Sequence, residues 1–158
     1  MSRRILVRGA AALLAATLVG AVVGPAPVSA AADRQAFAAD SGDACPMGSA
    51  SGTLFWHADN PTIVDFDAVV VDHPLPDESN PSCAADGRYT KVTFSGLTGN
   101  TADASSQIRM VDDGQQYDTF DLKTKLAISV IVVKVCRIAT VPGQSSYCGQ
   151  PRTYIRPT

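Results

Sequence analysis

Apolar and polar residues alternate along most of the chain after residue 50, and a period of two predicts half-buried strands. Thr62–Asp72 is the clearest case. Val64, Phe66, Ala68 and Val70 share one face, and Asp65 and Asp67 share the other. Arg88–Ser95 repeats the pattern, with Tyr89, Lys91, Thr93 and Ser95 opposite Val92 and Phe94. Shorter strands are predicted at Thr53–His57, at Gln107–Val111 (Ile108 and Met110 on one side), and at Tyr117–Leu122. Leu126–Ile138 is apolar on both faces and dense in Ile and Val, which predicts a central or covered strand rather than a helix. Tyr147–Ile155 reads as the last strand. Turns are predicted at Asp59-Asn60-Pro61, Asp112-Asp113-Gly114 and Pro142-Gly143. His73–Gly87 holds three prolines and reads as a loop.

Six or seven short strands with turns every 8–12 residues predict an all-β fold. The expected architecture is an antiparallel β-sandwich, immunoglobulin- or fibronectin-like. Residues 45–158 form its single domain, and residues 31–44, small and polar apart from Phe37, are expected to be a flexible arm.

The first thirty residues break this pattern. Arg3, Arg4 and Arg8 precede an apolar run from Ala10 to Val23, then Pro25 and Pro27, then Val28-Ser29-Ala30. This is the layout of a secretory signal peptide over residues 1–30, too short to span a bilayer as a mature helix. The Arg3-Arg4 pair also fits the twin-arginine route, although a basic leader for the general route explains it as well.

Removing the leader leaves ten basic and fifteen acidic residues, a net charge of −5. No basic stripe remains to suit nucleic acid or an anionic membrane. Cys45, Cys83, Cys136 and Cys148 all lie in the mature part, and an even count in an exported chain predicts two disulfides. Cys45–Cys83 with Cys136–Cys148 is the preferred pairing among three. Zinc is disfavoured because no two cysteines are closely spaced and neither histidine sits near one.

Four clusters carry candidate chemistry. Trp56-His57-Ala58-Asp59 offers His57 as a base oriented by Asp59 or Asp65, but no nucleophile signature accompanies it, so a strand end is the plainer reading. Asp65, Asp67, Asp72 and His73 offer carboxylates for Ca²⁺ or acid–base work, against the plainer reading of a solvated sheet face. Glu78, the single glutamate, lies in the Pro-rich loop and gives glycosidase chemistry little support. Asp112-Asp113-Gly114 with Asp118 and Asp121 is first a turn and second a cation site. Tyr89, Tyr117, Tyr147, Tyr154 and Trp56 would suit a sugar-stacking face if exposed.

Cys45-Pro46-Met47 resembles the reactive-site tripeptide of the actinomycete subtilisin-inhibitor family, which implies a disulfide-anchored loop presenting Met47 to a protease. Gly48 follows, and nothing else matches. The chain as a whole resembles small secreted actinobacterial proteins, on its Ala-rich leader, Gly52-Thr53-Leu54-Phe55-Trp56-His57, Val135-Cys136-Arg137 and Tyr147-Cys148-Gly149. That resemblance implies export, disulfides and a β fold. The expected function is a secreted, non-enzymatic binding module without cofactor or metal, partnered by an extracellular protein or cell-wall material. Met47, Trp56 and His57 are its candidate contact residues. A protease inhibitor and a small hydrolase centred on His57 are the alternatives.

Overall fold

The computed structural model describes residues 33–43, 47–72, 87–99 and 106–158. The expected signal peptide over residues 1–30, Cys45, Cys83, His73 and Glu78 lie outside these residues, and so does the expected Cys45–Cys83 bridge. Among the described residues there is no helix. Nine strands run β1 (Asp33–Asp40), β2 (Gly48–Trp56), β3 (Ile63–Asp72), β4 (Arg88–Leu97), β5 (Ser106–Val111), β6 (Gly114–Lys123), β7 (Val130–Ala139), β8 (Tyr147–Cys148) and β9 (Arg152–Ile155).

They form two antiparallel sheets packed as a β-sandwich. The first has the order β1-β2-β3-β6 and the second β5-β4-β7-β8, with β9 also on β7. β8 and β9 lie along the same edge of β7, at Cys136–Arg137 and Val130–Val133 respectively. They are one strand interrupted where Pro151 lacks the amide a ladder needs. The expected last strand is therefore present, with a break.

The core follows the alternation. Val64, Phe66, Ala68 and Val70 of β3 face Val92 and Phe94 of β4 and Ile131, Val133 and Val135 of β7, all buried. Phe66 is the hub of an aromatic cluster. Its ring stacks on Phe120 at 4.7 Å and meets Phe94 and Phe37 edge-on at 5.2 and 6.3 Å. β7 is central in its sheet, and Val130 and Val132 on its outer side are half-buried.

The flexible arm is corrected: Asp33–Asp40 is a full strand paired along β2, and the domain starts with it rather than at residue 45. Phe37 and Ala39 point inward and are buried. Their burial offsets the ordering cost of a segment otherwise made of small residues. On the side of β1 away from β2, the Tyr154 hydroxyl accepts from Ala38 N at 2.9 Å and donates to Ala38 O at 2.7 Å.

β2 needs a glycine at 52. A Cβ there would fall 1.9 Å from the Asp67 carbonyl oxygen, so the chains could not approach as they do.

Cys136 and Cys148 are bonded, directly opposite one another across β7 and β8. The bridge closes a short loop. Replacing both cysteines by serine is expected to cost about 3 kcal/mol, seen as a lower urea midpoint at unchanged slope. An unchanged midpoint would remove the bridge from the stability of the fold.

Candidate functional site

Both ends of the sandwich and both outer faces carry polar side chains. At the end where β2 meets β3, Trp56 is buried, with its Nε1 donating to Gln35 Oε1 at 3.0 Å. Arg156 lies over the indole at 4.8 Å and donates to the carbonyls of Ile128, His57 and Pro61 at 2.8–3.0 Å. Burial pushes its guanidinium below the ordinary value, and Asp33 opposes that. Trp56 is thus a core residue under a C-terminal clamp, not an exposed platform.

His57 Nε2 lies 2.8 Å from Asp65 Oδ2, both part-exposed. The pair borders an open depression of about 540 Å³ that His57 and Asp65 share with Asp59, Asn60, Thr119, Asp121 and Lys123. The His57–Asp65 contact is therefore present, while Asp59, the other expected partner, lines the same depression. Among the described residues, the hydroxyl lining the depression is that of Thr119, which donates to Asp67 at 3.0 Å. Lys123 sits 2.8 Å from Asp121, whose hydrogen bond and charge raise the ammonium above its ordinary value.

Met47 is 7% exposed. A side chain offered to a protease must be free to enter a pocket, so Met47 does not suit that role; the 73–87 loop, the other segment an inhibitor could present, lies almost wholly outside the described residues.

At the opposite end sits a feature that the sequence reading missed. Asp72 and Arg137 are fully buried and paired, joining β3 of one sheet to β7 of the other. Arg137 also donates to Thr90 Oγ1 at 2.8 Å and to the Arg88 carbonyl at 3.3 Å. Asp72 accepts from Thr90 Oγ1 and, at 3.0 Å, from the Asp113 amide in the β5–β6 turn. Burial lowers the Arg137 guanidinium, with Tyr147 opposing. A Cβ on Gly48 would press within 2.8 Å of Thr90 Oγ1 and 2.9 Å of Arg137 Cδ, so only glycine fits there. The carboxylates of Asp72, Asp112 and Asp113 lie close enough to share an ion, but Asp72 is already engaged by Arg137 and Thr90. This network holds the sheets together, and it offers no open ligand position.

The outer faces differ in charge. The first sheet contains seven aspartates (33, 40, 65, 67, 72, 118 and 121) and two basic residues, Arg34 and Lys123. The second contains no carboxylate and six basic residues, Arg88, Lys91, Arg109, Lys134, Arg137 and Arg152. Two of these cations reach across to the acidic sheet: Arg137 to Asp72, and Arg109 to Asp118, where the guanidinium also lies 4.1 Å over Phe120. Lys91 and Lys134 stand on the outward face, beside the exposed Met110 and Ile108. Neither Ile108 nor Met110 turned inward, because Arg109 and Val111 take the core side of β5.

Of the tyrosines, Tyr117 is exposed on the acidic sheet, Tyr154 packs against the core, and Tyr147 stacks under Arg88 at 5.3 Å. Among the described residues no helix is long and apolar enough to cross a membrane. Comparison with known protein families, with curated proteins and with solved structures finds no match to this chain.

Proposed function

We propose that the chain is an exported, non-enzymatic binding module that recognises its partner through the outward faces of the sandwich. The observation that carries this reading is the division of charge. One sheet holds every strand carboxylate, while the other exposes lysines beside apolar side chains. An apolar patch among polar residues is the usual composition of an interaction surface. A signal peptide over residues 1–30 and the Cys136–Cys148 bridge suit an oxidising, extracellular setting.

We also read the sandwich as immunoglobulin- or fibronectin-like. The chain passes between sheets from β3 to β4, from β5 to β6 and from β6 to β7, while β3 pairs with β6 and β4 with β7. Taking β2, β3, β4, β5, β6, β7 and the β8–β9 pair as A, B, C, C′, E, F and G gives sheets A-B-E and C′-C-F-G, with β1 as an added edge. Folds of this kind host many binding functions, so the analogy supports a module without naming a ligand.

The test is capture of partners from culture supernatant and cell-wall material by residues 31–158, compared with a K91E/K134E variant. A partner retained by the first and lost by the second supports the reading. Equal retention, or none, overturns it. His57→Ala addresses catalysis: no turnover of ester, peptide or glycoside substrates is expected before or after the change. Turnover that disappears with His57 would overturn the non-enzymatic reading.

A further inference from the structure

The two outward faces of this molecule match each other. On the second sheet, the register sets side chains in rows across the strands. Met110, Lys91 and Cys136 form one row, and Ile108, Thr93 and Lys134 the next. At the far end, Leu97, Val130 and Ile155 line up as an apolar row. The cationic rows lie near the buried Asp72–Arg137 pair, and the apolar row lies at the Arg156 end.

The first sheet is graded in the reverse sense. Arg34, Phe55, Asp65 and Asp121 make one row, and Thr53, Asp67 and Thr119 the next, both toward the Arg156 end. Val69 with Tyr117, and then Val71 in a row with Gln115, Ser49 and the exposed Asp40, follow toward the Asp72 end. Same-face neighbours along any strand are about 6.6–6.8 Å apart, so rows of one sheet have the spacing of rows of another.

We propose that the outer face of the second sheet docks the outer face of the first sheet of another copy, turned end for end. That rotation brings Lys91 and Lys134 over Asp65, Asp67 and Asp121. It sets Leu97, Val130 and Ile155 over Val69, Val71 and Tyr117. The other self-contacts are worse. Second sheet on second sheet opposes lysine to lysine, and first on first opposes carboxylate to carboxylate. The pairs that these carboxylates already make do not block the contact. Asp121 and Lys123 are both well exposed, and such pairs hold little free energy and exchange readily. Because the two faces differ, the contact is heterologous and leaves a free face at each end of a stack.

This inference deepens the binding-module reading by naming the partner as a second copy. The two fail separately, since capture from supernatant reports foreign partners and sedimentation of the pure chain reports copies alone.

The experiment is sedimentation velocity of the purified chain, with and without residues 1–30, up to about 1 mM. The average mass should rise with concentration. K91E/K134E should weaken association about tenfold or more, and so should D65K/D67K. A mixture of the two variants should associate again, since each presents the face that the other lacks. All four positions point away from the core, so the far-UV circular dichroism of both variants should match that of the wild type. Ile155→Ser gives a second, charge-neutral reading and should also weaken association. A chain that stays monomeric at every concentration overturns the proposal. So does an association curve that K91E/K134E leaves unchanged.

Discussion

Asp72→Ala is expected to cost about 3–5 kcal/mol of folding stability, because it strands the Arg137 guanidinium without its counter-charge in the interior. Both side chains are fully buried, so water cannot replace the lost partner. The change also removes acceptors from Thr90 and from the Asp113 amide. For a domain of this size that is a large part of the total. The measurement is urea unfolding followed by Trp56 fluorescence. A loss below about 1 kcal/mol would mean that the interior reorganises or hydrates there. The double replacement Asp72→Leu with Arg137→Met separates pairing from burial. It should recover most of the loss, since two apolar groups leave no charge to satisfy.

The second large effect is expected at Phe66. Phe66→Ala should cost about 3–5 kcal/mol through lost transfer energy and the cavity left behind. Phe66 is fully buried and touches the rings of Phe37, Phe94 and Phe120, which come from three other strands in both sheets. Phe66→Leu keeps most of the volume and should cost about half as much or less. Equal losses for the two variants would show that ring geometry, not volume, sets the packing.

The alternation of β3 and β4 was legible because large apolar residues occupied every second position and turn residues marked the ends. β7 was legible from its Ile and Val content. β1 was not, since Ala36, Ala38 and Ala39 carry no strand preference, and only Phe37 with Ala39 hinted at an inward face. The Asp72–Arg137 pair was missed although its signal was present. Asp72 continues the inward series 64, 66, 68, 70, and Arg137 continues 131, 133, 135. A charge on the core side of a strand calls for a partner, and two such strands in opposite sheets supply one. Which strands share a sheet was not readable locally, so the division of charge between sheets emerged only with the topology. Met47 was misplaced for a similar reason: a tripeptide says nothing of what packs over it.

The Tyr154 hydroxyl holds the edge of the first strand from 116 positions downstream. Arg156 holds the Trp56 corner from 99 and 95 positions away through the His57 and Pro61 carbonyls. These closures join the earliest described strands to the last, so the sandwich cannot finish assembling until β9 and Arg156 are available. A nascent chain lacking β9 leaves the amide and carbonyl of Ala38 unclaimed and the β1 border open to pairing with a stranger. Folding that depends on such distant pairings is also slow, on the order of milliseconds to seconds for sandwiches. Completion of the fold is therefore timed by β9 and Arg156, and a chain without them would be made as an open-edged intermediate rather than as a slightly smaller domain.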